Sequence, residues 1–276
     1  MLPINNTTKS SQDKLCRLEE YLSGLGNVIV AFSGGIDSTF LLKAAQNALG
    51  DKVVAVTVKP YSFPGRELEE AEALCREMGI QHFTIGFNEF DIKGFSENPP
   101  DRCYLCKKEL FGKVKEMAAK KNIPYILEGS NLDDNKDYRP GMAAIKELGI
   151  ISPLIKTGFY KEEIRRFAKE MGLKAWNKPS LACLSSRFVY GEHITKEKLL
   201  MADKAEQLLA GKGFLHARVR IHGQMARIEV MPDEFEKLIR NDIREEIISG
   251  LKSYGFTYIS MDLEGYRTGS MNEMLD

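Results

Sequence analysis

The sequence predicts an α/β protein, a parallel sheet with helices on both faces followed by a small α+β domain. Three observations carry this expectation. Short β-branched runs over 28–32, 52–58 and 81–85 alternate with amphipathic stretches of helical length, the pattern of strand–crossover–strand units. The first run, Val28-Ile-Val-Ala-Phe32, is apolar without alternation, as suits a strand buried on both faces. After about Arg187 the rhythm changes to one long helix and then closely spaced strands.

Taken in order, 13–23 has the apolar spacing of an amphipathic helix, with 1–12 as a flexible polar tail. The strand over 28–32 leads into a helix over 38–49, and the strand over 52–58 into an acidic helix over 67–78 that Gly79 ends. A third strand covers 81–85. The turn Asn98-Pro-Pro-Asp101 announces a helix over 103–121. A strand over 125–128, a helix over 141–148, a short strand over 150–155 and a helix over 161–171, closed by Gly172, complete the first domain at 13–187. The second domain, 188–276, begins with a helix over 196–209. Strands over 216–221 and 226–230 meet at a His222-Gly223 turn and read as a hairpin. Helix over 233–254, in one or two pieces, and a strand over 257–263 follow.

The most telling stretch joins the first strand to its helix: Ser33-Gly-Gly-Ile-Asp-Ser-Thr39. Gly34 and Gly35 permit a turn and a close backbone approach that side chains resist. The helix start presents unpaired N–H groups and a positive dipole end to an anion. Ser33, Ser38 and Thr39 add hydroxyls, and Asp37 suits a phosphate site if it works through magnesium. A Walker loop would need Gly-Lys-Ser/Thr after a longer turn, and no lysine stands here. The pattern resembles the PP-loop of the ATP pyrophosphatase superfamily. That resemblance implies an adenine nucleotide α-hydrolase-like fold in which substrate oxygen attacks the α-phosphate of ATP, releasing pyrophosphate and leaving an adenylated substrate.

Composition narrows the field. Lys+Arg and Asp+Glu are both 39 of 276 residues, so no overall field favours nucleic acid or an anionic membrane. No apolar run approaches the roughly 20 residues of a membrane span, and the polar start lacks the apolar core of a signal peptide. A cytoplasmic protein is expected. Its five cysteines then call for a core, metal or catalytic explanation rather than a disulfide framework.

Cys16 and Cys75 fall inside amphipathic helices and read as core. Cys103 and Cys106, at i and i+3, share one side of a first helical turn, where a helix N-terminus favours the thiolate that binds metal or attacks. A zinc site would want a second close pair; His193, His216 and His222 are scattered and read as surface or turn residues. Cys183 sits in Lys178-Pro-Ser-Leu-Ala-Cys-Leu-Ser-Ser-Arg187, a loop setting, where Arg187 with Ser185 and Ser186 suits a phosphate. Alternation in the hairpin places Arg218 and Arg220 on one face, with Arg227 and Glu229 alternating in the next strand. That face could grip a phosphorylated substrate or be a solvated face laced with ion pairs. The loop Glu128-Gly-Ser-Asn-Leu-Asp-Asp134, with Asp137-Tyr-Arg139-Pro-Gly, offers carboxylates for magnesium and an arginine for phosphate.

Together Ser33–Ser38, Arg102-Cys-Tyr-Leu-Cys-Lys107, Glu128-Gly-Ser-Asn131, Asp137-Tyr-Arg-Pro-Gly141, Pro179–Arg187 and Gly265-Tyr-Arg-Thr-Gly-Ser-Met-Asn-Glu273 are similar to the LarE-type ATP-dependent sulfur transferases of nickel-pincer cofactor synthesis. The likeness spans nearly the whole chain from the first strand, and the Pro-Ser-Leu-Ala-Cys loop and closing segment are its most specific parts. It implies ATP and Mg2+ as cofactors and a pyridinium biscarboxylic acid mononucleotide as substrate, whose carboxylates are adenylated and converted to thiocarboxylates. On this resemblance Ser33, Gly34, Gly35, Asp37, Ser38, Thr39 and Gly129 bind ATP, Asp37 and Asp133 hold magnesium, and Arg187, Arg218, Arg220 and Ser186 take the substrate phosphate. Asp37 and Cys183 are the catalytic candidates. Some relatives sacrifice the sulfur of one cysteine and keep dehydroalanine; others hold a 4Fe–4S cluster on three cysteines, fed by a sulfide donor, and because all three stand here, at Cys103, Cys106 and Cys183, the cluster variant is the one expected. The resemblance also implies a homo-oligomer, a hexamer among the forms expected, while the balanced charge leaves no nucleic-acid partner expected. A tRNA thiolase, an amide-forming PP-loop synthetase and a non-catalytic nucleotide-binding module are the alternatives.

Overall fold

The computed structural model describes residues 6–136, 140–178 and 183–275. Two compact units emerge: Met1–Pro60 with Gly65–Phe87 and Cys103–Ser180, and Tyr61–Pro64 with Asn88–Arg102 and Leu181–Asp276. Neither is one continuous stretch.

The first unit runs α1 (Asn6–Ser23), β1 (Val28–Ala31), α2 (Ile36–Leu49), β2 (Val53–Lys59), α3 (Gly65–Met78), β3 (Gln81–Gly86), α4 (Arg102–Lys120), β4 (Tyr125–Leu127), α5 (Gly141–Glu147), α6 (Pro153–Lys156) and α7 (Lys161–Glu170). The strands form a parallel sheet in the order β3-β2-β1-β4. Continuously apolar strands are explained by cover on both faces. Val28, Val30 and Ala55 pack with Leu18, Leu22, Phe40, Phe159 and Phe167. Ile29, Val54 and Val56 pack oppositely with Phe111, Val114, Ile126 and Ile145. Because β1 has β2 on one side and β4 on the other, strand order reverses there, and ligands of open α/β sheets bind at such a point, beyond the strand C-termini.

Three expectations need correction. The strand expected over 150–155 shrinks to a single bridge between Ile151 and Leu127. Pro153 has no N–H to give a ladder and its fixed φ suits a helix start, so α6 begins there. Cys16 is exposed. The buried stripe of α1 is Leu15, Leu18 and Leu22, and Cys16 lies one residue, about 100°, off it. Cys75 is buried in α3 as expected, and burial, with Glu72 nearby, pushes its thiol up to about 12. Helix α1 also begins at Asn6, within the tail, where no apolar spacing announces it.

The second unit holds α8 (Lys196–Gly211), β5 (Arg218–His222), β6 (Met225–Glu229), α9 (Phe235–Ile239), α10 (Asn241–Ser253) and β7 (Tyr258–Met261). Strands β5 and β6 pair antiparallel, with His222 opposite Met225, so the turn is Gly223-Gln224, one residue later than expected. Gly223 has φ +59, which suits glycine. Helices α9 and α10 form the crossover to β7, which joins β6 in parallel. Among the described residues no helix is long and apolar enough to cross a membrane.

Candidate active site

In the first unit the segment after β1 turns through Gly34, at φ +71, into α2, where Gly35 is the N-cap and supplies no side-chain cap bond. No N-cap side chain therefore competes for the N–H groups of the first turn of α2, the groups an anion takes up. The local hydroxyls are engaged with one another. Ser38 Oγ and Thr39 Oγ1 donate to Gly35 O at 3.0 and 2.9 Å, and Ser33 Oγ lies 3.2 Å from Ser38 Oγ. Upstream, Thr57 Oγ1 donates to Phe32 O at 2.7 Å and meets His82 Nε2 at 2.8 Å. With the threonine proton spent on the carbonyl, the histidine is the donor of that second bond.

Gly129, just after β4, presses against the same helix start. A Cβ there would stand 2.9 Å from Ser38 N. Glu128 closes this loop on itself, accepting from Ser130 N (3.1 Å), Ser130 Oγ (2.7 Å) and Ser152 Oγ.

Asp37 accepts from Asn131 Nδ2 at 3.3 Å and from the ammonium of Lys161. Burial raises its carboxyl above the ordinary range, against the downward pull of Lys161, and Asp134 adds a smaller upward push. Asp133 Oδ2 accepts the backbone N–H of the same Lys161 at 2.9 Å, while Asp133 N donates to Asn131 Oδ1 and Asn131 N to Asp134 Oδ2, both at 3.0 Å. Asp37 and Asp133, the expected magnesium pair, thus both touch Lys161, Asp37 at its ammonium and Asp133 at its backbone N–H. Sequence reasoning missed Lys161: it opens an ordinary amphipathic helix 124 residues beyond Asp37, and nothing local marks it.

Cys103 is exposed and Cys106 half-buried in the first turns of α4. Helix α5 packs tightly here, since a Cβ on Gly141 would lie 3.3 Å from Cys103 O. Residues 137–139, with the expected Arg139, and 179–182 lie outside the described residues.

In the second unit Cys183 is exposed and precedes a short helical turn, Leu184–Arg187. The arginine face is buried rather than solvated: Arg187, Arg218 and Arg220 are 3%, 8% and 5% exposed. Arg187 grips Glu206 through Nε–Oε1 and Nη2–Oε2 at 2.7 and 2.8 Å. Arg220 grips Glu229 likewise at 3.0 and 2.7 Å. Burial works to raise Glu206, but the Arg187 guanidinium holds it below the usual carboxylate range. Arg218 donates to Ala217 O at 2.8 Å and lies over the Tyr266 ring. Burial first, then Arg187, lowers its affinity for its proton. Arg227 Nη2 also donates to Glu229 Oε1 at 3.1 Å, so four arginines gather on two glutamates. Ser186 Oγ accepts from Arg187 Nη1 at 2.8 Å. Of the histidines, His193 and His216 are exposed and His222 is half-buried at the end of β5.

The first unit offers the donor type magnesium takes, carboxylate oxygens, with Asp37 occupied by the Lys161 ammonium. An iron–sulfur cluster finds two thiols on one helix, Cys103 and Cys106, and a third in the other unit. Among the described residues no three His, Cys, Asp or Glu side chains form a metal-binding group.

These features can be set beside known proteins. A family model for NAD synthase matches residues 12–110. The pyridinium-3,5-bisthiocarboxylic acid mononucleotide synthase of Lactiplantibacillus plantarum is 38% identical over 95% of this chain and 95% of its own. The chain belongs to this LarE-type family. An uncharacterized protein of Synechocystis sp. is 39% identical over 96% of this chain and 98% of that one. A GMP synthase of Pyrobaculum aerophilum is 30% identical over 59% of this chain but only 36% of its own length. Kinship with that enzyme is therefore partial, whereas the LarE-type family matches both units.

Proposed function

We propose that this protein adenylates the carboxylates of a pyridinium biscarboxylic acid mononucleotide at the expense of ATP and replaces the adenylate oxygen with sulfur, making the thiocarboxylates of a nickel-pincer cofactor. The observation that carries this reading is an exposed cysteine, Cys183, on a fixed turn in a chain of the thiocarboxylate-forming family. The uncapped start of α2 would receive the phosphates of ATP. Asp37 and Asp133 would hold Mg2+, which neutralises phosphate charge.

Substrate carboxylate oxygen bonds to the α-phosphorus as pyrophosphate leaves. The Cys183 thiolate then bonds to the acyl carbon and AMP leaves, giving a thioester. Loss of the Cys183 Hα as a proton, with cleavage of the Cβ–Sγ bond, frees the thiocarboxylate and leaves dehydroalanine. No oxidant is needed. Cys103, Cys106 and Cys183 are the thiols that would hold a 4Fe–4S cluster in the other variant of the family, where the cluster supplies sulfide and Cys183 is spared. Arg218, with the frame of Arg187, Arg220 and Ser186, supports the substrate phosphate; orientation of this kind lowers barriers substantially. A cytoplasmic homo-oligomer is the expected form.

The test is pyrophosphate release and product mass with the mononucleotide substrate, using native protein and Cys183→Ala, Cys103→Ala and Cys106→Ala, alongside iron and acid-labile sulfide content after anaerobic reconstitution. Dehydroalanine at 183 with one sulfur per chain supports sacrifice. A cluster needing all three cysteines supports the catalytic variant. Full turnover by Cys183→Ala with ammonia incorporated would point instead to an amide-forming synthetase and defeat the proposal.

A further inference from the structure

Cys183 is exposed, yet the backbone that follows it is held at successive groups. Leu184 N donates to Ser62 O at 3.1 Å. Ser185 O accepts from Arg102 Nη1 at 3.0 Å, and Ser186 O accepts from Arg220 Nη1 at 3.1 Å. Cys183 O itself accepts from Ser186 N at 2.9 Å and Ser186 Oγ at 2.7 Å. Ser62 is fixed in turn: Ser62 N and Tyr61 N donate to the two oxygens of Glu89 at 2.6 and 2.8 Å, and Glu89 is fully buried.

Arg102 is the least expected member of this clamp. It lies 83 residues from Ser185 and is 5% exposed. It also donates to Asn98 Oδ1. Asn98 is fully buried with φ +51, a region asparagine tolerates better than most residues. Its Nδ2 donates to Val189 O at 2.6 Å and Phe188 O at 3.4 Å. Arg102 and Asn98 thus grip the chain at 185 and at 188–189, both within a few residues of the thiol. A buried guanidinium is costly to desolvate, and the two hydrogens of its planar Nη1 aim one at Asn98 Oδ1 and one at Ser185 O, where a lysine offers a freely rotating point charge.

We infer that Arg102, seated on Asn98, is a positioning residue that sets the pose of the Cys183 sulfur. The inference rests on the sulfur-transfer reading for its catalytic consequence, but not for its structural one.

The test is a nitroxide label on Cys183 in protein whose Cys16, Cys103 and Cys106 are serine, read by continuous-wave EPR, together with single-turnover kinetics of the unlabelled proteins. With Arg102 native, one immobilised spectral component is expected. Arg102→Met should add a mobile component and slow thiocarboxylate formation about 100-fold, as expected for a reacting group displaced by about 1 Å, with KM for ATP unchanged. Arg102→Lys should recover part of the rate. Asn98→Gly, which keeps the positive φ but removes the seat, should shift both readouts the same way, and it decides the matter if Arg102→Met does not fold. An immobilised spectrum in both Arg102→Met and Asn98→Gly would overturn the inference whatever the activity. A mobile component with native turnover would also overturn it. If native protein makes no thiocarboxylate, the functional reading fails while the EPR contrast still judges the clamp.

Discussion

Replacing Gly129 with alanine tests whether the end of β4 and the start of α2 form one rigid cradle. The added Cβ would stand 2.9 Å from Ser38 N, and 3.2 Å from Asp37 C and Ser38 Cα. All three are backbone atoms, so no side chain can swing aside. Ordinary contact begins at 3.4 Å, and α2 or the loop must move by about 0.5 Å to reach it. Overpacking of this kind costs about 1–3 kcal/mol, a fall in Tm of about 2–12 °C for a chain of this size. Because a shift near 1 Å at a reacting centre costs about 100-fold, pyrophosphate release should fall about 10- to 100-fold, and calorimetry should show weaker ATP binding. Gly112→Ala is the control: it is in α4, a Cβ there would meet nothing within 4 Å, and it should stabilise by about 0.5–1 kcal/mol. Native ATP affinity and unchanged Tm in Gly129→Ala would refute the cradle.

Lys161→Met should push the already raised Asp37 carboxyl further up, since Lys161 is the group that pulls it down. The acid limb of the pH profile for pyrophosphate release should then move to higher pH, and Lys161→Arg should restore it in part. A raised carboxyl binds its proton more tightly in the fold than in the unfolded chain, so native stability should decline as pH rises from about 3.8 through the raised value. Glu206→Ala strands the buried Arg187 charge and should cost about 3–5 kcal/mol by urea denaturation. Because Arg187 holds Glu206 below its usual range, the pair's contribution should be complete at neutral pH and fade as pH falls through the depressed folded value. Alkylation of metal-free native protein at pH 8, followed by peptide mass spectrometry, should modify exposed Cys16, Cys103 and Cys183 readily and Cys75 last, since it is buried and burial pushes its thiol up to about 12.

What the sequence made legible is local. Val28-Ile-Val followed by Ser-Gly-Gly needs only a strand, a tight turn and a helix start, all written in neighbouring residues. The hairpin arginines were legible as one face because strands alternate. The burial of the arginines was not, because Arg187 is paired with Glu206 from α8 across 19 positions and Arg220 with Glu229 of the neighbouring strand. The strand expected over 150–155 failed through one proline, a local signal outweighed by the β-branched run before it. Cys16 failed because an amphipathic helix was recognised without its phase. Lys161 and Arg102 act on partners 124 and 83 residues away, and no periodicity encodes such distances.

The interrupted course of the second unit governs how it can be made. Its Tyr61–Pro64 and Asn88–Arg102 pieces leave the ribosome long before Leu181–Asp276. Until then Asn98 and Arg102, buried in the finished protein, have no chain at 185–189 to hold. Their polar groups must wait in water while the strands of the first unit are still being made. A fragment starting at 181 would be born without its clamp, however complete its helices and hairpin. The natural unit for expression is the entire chain, and cleavage between 64 and 88 or between 102 and 181 would sever connections within a unit rather than free a domain.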